Sequence, residues 1–206
     1  MGRTARKIAW PVASRYARAK SRRKIGRLLK GGHPIWLEVG AGERGGNNGW
    51  TTLDLSLKAD LFADLRKGLP FPPGSIDRIY SSHFLEHLTF RQGQDFLGDC
   101  LKALRPGGEF SICVPNARIY LEAYVRGQDL PDEFFGYQRA FHHTTRIDYV
   151  NYTAYMNGQH CYMFDEENLI RRLEIAGFKN PGLRAFDPEL DRADRDYESI
   201  YAAANR

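Results

Sequence analysis

Ile35-Trp36-Leu37-Glu38-Val39-Gly40-Ala41-Gly42-Glu43-Arg44-Gly45-Gly46, running on to Trp50-Thr51-Thr52-Leu53-Asp54, is the stretch from which the architecture follows. An apolar run breaks into a glycine turn, and a second apolar run ends in an acid: buried strand, turn, second strand, carboxylate. In a parallel α/β sheet such a turn lies where the strand ends open into a crevice. Glycine there lets backbone N–H groups approach a ligand more closely than any Cβ would allow. Asp54, at the tip of the second strand, then faces the hydroxyls of a bound ribose.

The spacing Gly40-x-Gly42-x-x-Gly45 satisfies the dinucleotide pattern, which alone does not separate a nicotinamide enzyme from a methyltransferase using S-adenosylmethionine. The surroundings do. A pyrophosphate wants a helix N-terminus after the turn and an acid about 20 residues on. Asp54 lies fourteen residues after Gly40, and residues 43–49 are turn formers with little propensity for that helix. Glu38 would repel a pyrophosphate but suits the amino group of a methionine moiety. Residues 59–65 read as a short third strand ending in a second acid, Asp64. Its carboxylate can accept from an adenine amine while the Leu65 N–H donates to a ring nitrogen.

Further out, the rigid turn at residues 69–75 leads into a fourth strand, Ile76–Ser82, and at once into His83-Phe84-Leu85-Glu86-His87. HxxEH is also the pattern of inverted zinc proteases. Zinc would need both histidines one turn apart on a helix, a third ligand and a catalytic carboxylate. A motif that starts at a strand end does not put His83 and His87 on one helical face, so no metal is expected. His83 is placed at the crevice and His87 beneath it as a hydrogen-bonded packing residue. Residues 90–104 carry Phe96, Leu97, Cys100, Leu101 and Leu104 on one helical face, Arg105-Pro106-Gly107-Gly108 stops that helix, and residues 109–114 form a fifth strand.

In unbroken order over residues 35–116, these pieces resemble the class I S-adenosylmethionine-dependent methyltransferases. The likeness is to the type-11 group, and to a compact branch of it associated with polysaccharide or secondary biosynthesis. It rests on Leu37 to Gly42, Gly49-Trp50 with Asp54, Asp64-Leu65, the run from Leu69 through Ser81-Ser82-His83 to Glu86-His87, and Leu104-Arg105-Pro106-Gly107-Gly108 into Val114-Pro115. It implies an α/β, Rossmann-like, mostly parallel seven-stranded sheet with helices on both faces. S-adenosylmethionine would lie over the first, second and fourth strand ends. Glu38, Gly40, Ala41 and Gly42 would take the methionine end, Asp54 and Leu55 the ribose, and Asp64 and Leu65 the adenine, with Ser81 and Ser82 closing the fourth strand. The connection between the first two strands is shorter than in the commoner members.

The remaining chain supplies an acceptor side and a tail. Residues 117–164 are dense in tyrosine and phenylalanine and hold His142, His143 and His160, which suits a lid over a small-molecule or glycan acceptor. A hydroxyl acceptor needs a base, and His83 is the first candidate, with His142 or His143 as lid-borne alternatives. An auxiliary core or oligomer contact is the plainer reading of the insertion. A protein that binds the cofactor without transferring its methyl is the alternative for the whole chain. Capped by residues 165–168, a further helix precedes a sixth strand near 182–186 and a last one near 199–203.

Residues 1–30 carry eleven Lys or Arg and no acid, so the overall charge of +5 divides into a basic tail and a body at −6. The tail, residues 1–32, reads as one or two short helices broken at Pro11, ahead of a methyltransferase domain over residues 33–206. It could pack on the body, or lie on an anionic membrane surface through residues 3–30; without aromatic interleaving, nucleic acid is disfavoured. Three dispersed cysteines and no apolar run long enough to span a bilayer point to a soluble, cytoplasmic protein, peripheral to a membrane at most.

Overall fold

The computed structural model describes residues 3–46, 48–131, 134 and 144–206, with the side chains of the first helix from residue 10 onward. The apolar run becomes β1, Trp36–Val39, which pairs in parallel with β2, Trp50–Asp54, on one side and β4, Ile76–Ser82, on the other. Leu37, Val39, Leu53 and Ile79 are fully or almost fully buried, as expected of parallel strands covered on both faces. With β3 (Leu61–Phe62), β5 (Leu104–Pro115), β6 (Lys179–Leu183) and β7 (Ser199–Asn205), the seven strands stand in the order β3-β2-β1-β4-β5-β7-β6. β7 alone runs antiparallel to its neighbours, inserted between β5 and β6. The order reverses between β1 and β4, and open α/β sheets place their ligand crevice at such a switch point.

Two helices seal one another and the sheet. α2, Phe90–Ala103, starts on a capping box between Thr89 and Gln92 and buries Phe96, Leu97 and Cys100. α5, Glu166–Ala176, starts on Asp165, buries Leu169 and Leu173, and ends at Gly177 in the left-handed conformation. α2 runs straight into β5 with no intervening loop. Leu104 already pairs with Ile76, residues 105–108 bulge outward through Gly107 at φ +75°, and regular pairing resumes at Arg78 with Glu109. The fifth strand therefore begins five residues earlier than the turn residues suggest. The third strand is shorter than expected, two residues, because Asp64 turns the chain by capping the 3-10 turn Leu65–Lys67.

The basic tail is not one or two broken pieces. It forms a single helix, α1, Arg3–Lys30, that continues through Pro11. Its second half is anchored where β3 would otherwise be a bare sheet edge: the Phe62 N–H donates to Ser21 Oγ at 2.7 Å, Lys24 pairs with Asp60 at 2.7 Å, and Ile25 is buried. Proline removes one hydrogen bond from the helix, while this docking holds many residues in place. α3, Ala117–Val125, and α4, Ile147–Tyr155, pack on each other around a small second core of Tyr120, Ala123 and Leu130, with Ile119, Phe134, Tyr149 and Tyr152 at its margin. Among the described residues no helix is long and apolar enough to cross a membrane.

Candidate active site

The glycine turn takes its shape from β2. Gly40 and Gly42 have φ of +72° and +66°, a region other residues avoid. Asp54 Oδ2 accepts from the Gly42 N–H at 3.0 Å, and Oδ1 accepts from the Ser56 N–H at 2.9 Å. A carboxylate offers about four acceptor positions, so two stay open toward a ligand. Asp54, Leu55, Asp64 and Leu65 share one cavity of about 220 Å³ with Ala63, Arg66, Phe84, His87 and Leu88. Phe84 closes its floor and packs so tightly on Gly40 that a Cβ there would lie 2.3 Å from the ring. Asp64 caps its turn and is gripped by Arg66 at 2.8 and 3.0 Å, which holds its carboxyl below the usual range, only partly offset by burial.

Glu38 lies in β1 and Gly40, Ala41 and Gly42 on the turn after it, and none of the four lines this cavity. Burial pushes the Glu38 carboxyl up, and Arg44, which hydrogen-bonds it, opposes the shift, as does the charge of Arg192. Any ligand amine there competes with Arg44. Ser81 and Ser82 are buried at the end of β4 and line neither this cavity nor the one below, and Ser81 Oγ has no hydrogen-bond partner in the protein.

Beyond the end of β4 lies a second cavity of about 270 Å³, whose wall includes His83, Glu86, His87, Tyr120, Tyr152, His160, Arg195 and Glu198. His87 belongs to both cavities. The depths expected for the two histidines are reversed. His83, at φ +48°, turns inward: its side chain is 9% exposed and its Nε2 sits 2.9 Å from Ser199 Oγ, whereas His87 is 35% exposed. The 3-10 turn Leu85–His87 causes this, because it swings His87 out of line with β4. Burial, followed by the charges of Arg195 and of the neighbouring histidines, pushes His83 down to about 3. A base that weak takes up few protons near neutral pH, so the general-base role expected of His83 does not suit its surroundings. His142 and His143 lie outside the described residues.

Glu86, fully buried, is pushed up to about 8 by that burial, and its Oε2 has no partner. Glu198 is likewise raised by burial, and it accepts from the Tyr120 hydroxyl at 2.6 Å. The sequence placed His160 in the acceptor lid but gave no site role to Glu86, His87 or Glu198. The HxxEH spacing was the one signal that pointed at the first two.

A family model for a methyltransferase domain matches residues 13–181. The chain belongs to the methyltransferase-domain family. A protein of Mycolicibacterium smegmatis described as a probable S-adenosylmethionine-dependent methyltransferase is 39% identical over 72 residues, a match that spans 33% of this chain and 26% of that relative. Two solved structures share the fold. An S-adenosylmethionine-dependent methyltransferase of Archaeoglobus fulgidus superposes with a TM-score of 0.52 at 15% identity, covering 94% of each chain. One of Thermotoga maritima superposes with a TM-score of 0.50 at 12% identity, covering 98% of this chain and 95% of that one. S-adenosylmethionine is the family's cofactor, and the first cavity suits it by pairing apolar Leu55, Leu65 and Phe84 with two acids, Asp54 and Asp64.

Proposed function

We propose that the chain transfers a methyl group from S-adenosylmethionine to a hydroxyl of a small-molecule or glycan acceptor seated in the second cavity. The observation that carries this is the shared wall: His87 lines both the slot flanked by Asp54 and Asp64 and the polar cavity beyond β4. The cofactor supplies a methyl carbon on a positively charged sulfur, so that an acceptor oxygen forms the new O–C bond as the C–S pair returns to sulfur. Asp54 holds the ribose with its two remaining acceptor positions, while Asp64 and the Leu65 N–H read the purine. Gly42 keeps Asp54 in register through the bond to its N–H. Alignment of the two bound molecules can itself be worth about 7–11 kcal/mol.

Within the acceptor cavity, His87 Nδ1 donates to Gln159 O at 2.9 Å and His160 Nδ1 donates to Thr153 O at 2.8 Å. A carbonyl only accepts, so in each neutral ring Nε2 carries the lone pair. These two nitrogens give an acceptor hydroxyl somewhere to direct its proton. Tyr120, Tyr152 and Met156 supply the apolar surfaces on which a ring can stack.

Calorimetric titration tests the cofactor half of the proposal. S-adenosylmethionine and its demethylated product should bind with micromolar affinity, and Asp54→Asn should weaken both about 10- to 100-fold, the weight of a charge-assisted hydrogen bond. Tight NAD binding with none for S-adenosylmethionine overturns the reading. Transfer of labelled methyl into a fractionated extract, followed by mass spectrometry of the labelled product, identifies the acceptor.

A further inference from the structure

Three side chains able to ligate a metal face one another beside the second cavity, and one of them, His87, also lines the first. Glu86 and His87 come from the turn after β4, and His160 from the segment after α4. The backbone ties these segments together: the Cys161 and Tyr162 N–H groups donate to Glu86 O at 2.8 and 3.2 Å, and the His87 ring donates to Gln159 O. The convergence is therefore built into the main chain. One donor atom from each of Glu86, His87 and His160 lies within 4.8 Å of the other two. Both rings spend their Nδ1 protons on carbonyl oxygens, the arrangement that orients a metal-binding imidazole and fixes its tautomer.

The three side chains do not satisfy one another as they stand. Glu86 is 2% exposed and its Oε2 has no partner, while its Oε1 is 3.9 Å from both His87 Nε2 and His83 Nδ1, too far for a hydrogen bond. An unpartnered buried carboxylate oxygen is costly, and a single cation at the centre of the three offers it and both imidazoles a partner. We propose that Glu86, His87 and His160 bind one divalent ion of the zinc class, with its open position turned into the acceptor cavity.

Two imidazoles and a carboxylate form the donor set of catalytic zinc, which keeps a fourth position for water or substrate. Tetrahedral zinc with bonds of about 2.0–2.1 Å needs its donors about 3.4 Å apart, so each must move by less than about 1 Å. The pair that converges is not the one expected from HxxEH: His83 turns away to Ser199, and His160 takes its place.

What the ion does rests on the methyl-transfer reading; that it binds does not. Coordinated there, an acceptor hydroxyl loses its proton to solvent at lower pH. Its oxygen then forms the bond to the methyl carbon as the C–S bond breaks and the pair goes to sulfur.

The test uses the full chain stripped with a chelator and titrated with Zn²⁺ and with Co²⁺ as a spectroscopic probe, with S-adenosylmethionine affinity measured in parallel. One ion per chain is expected, with the intense visible bands of four- or five-coordinate Co²⁺, displaced by Zn²⁺. His160→Ala and Glu86→Gln should each weaken Zn²⁺ binding at least about 10-fold. Equal Co²⁺ binding by wild type and His160→Ala, or binding of Mg²⁺ alone, overturns the site. A measurement on wild type needs no variant to fold: Zn²⁺ should protect His87 and His160 from diethyl pyrocarbonate, and unchanged labelling of both overturns the proposal. S-adenosylmethionine binding without zinc binding removes the metal and leaves methyl transfer standing. Zinc binding without S-adenosylmethionine binding does the reverse.

Discussion

Gly40 carries two constraints at once, a positive φ and a face pressed on Phe84, and either alone excludes a side chain. Gly40→Ala should cost at least about 2 kcal/mol, combining backbone strain with a displaced ring, and should loosen cofactor binding because Phe84 floors the first cavity. Urea unfolding and calorimetry on the same preparation check both effects. Gly42 has the same backbone but open space where its Cβ would be, so its alanine variant should lose less. His83 shows how position overrides residue type. A histidine at the end of a strand invites the role of base, but burial and two neighbouring arginines make it a weak one, and it hydrogen-bonds Ser199 at the start of β7.

α1 and β3 show an element serving a different purpose from the one its composition advertises. Eleven basic residues and no acid suggest a helix made for an anionic surface, yet half of α1 is spent closing a sheet edge. Ser21 is the pivot, because its hydroxyl both donates to Ala17 O and accepts from the Phe62 N–H in a buried setting. Ser21→Ala should cost about 1–3 kcal/mol by stranding that N–H, and hydrogen exchange at Phe62 should quicken while that of β1 stays slow. Equal exchange at Phe62 in both proteins would show that α1 does not protect the edge. On the opposite border, Arg184 and Asp191 form a bidentate pair, joined by Tyr80 and Ser111, that ties β6 and the loop before β7 to β4 and β5.

Taken together, the fold leans on carboxylates that titrate in opposite directions. Asp60 would be raised by burial, but Lys24 and the Thr52 and Gly46 N–H groups outweigh this and hold it below its ordinary value. Its contribution is present above its unfolded pKa and lost as pH falls through the folded one. Glu166 behaves likewise, its burial outweighed by Arg118 and Asn116. Glu198 is raised, so what it contributes is present at low pH and fades as pH rises. Acid should therefore loosen the α1 edge. Wild type should lose about 1 kcal/mol more than Asp60→Asn between about pH 5 and 3, after allowance for solvent screening, in denaturant midpoints measured at each pH. Parallel curves for the two proteins would remove Asp60 from the acid response.

The parallel core, the glycine turn and the two acids at strand ends were legible in the chain, because local patterning carries them: unbroken apolar runs, turn formers and single carboxylates at run ends. So was the capped start of α5 at Asp165. The unbroken α1 and the bulged entry to β5 were not, since each depends on a partner distant in sequence, Phe62 for Ser21 and Ile76 for Leu104, and the two-residue β3 was not because Asp64 caps a 3-10 turn where the apolar run suggested more strand. The same limit hid the acceptor wall. His160 meets Glu86 and His87 only because backbone hydrogen bonds draw the chain after α4 onto the turn after β4, and no spacing within either segment encodes that meeting. Periodicity speaks for neighbours along the chain; convergence across it comes from packing.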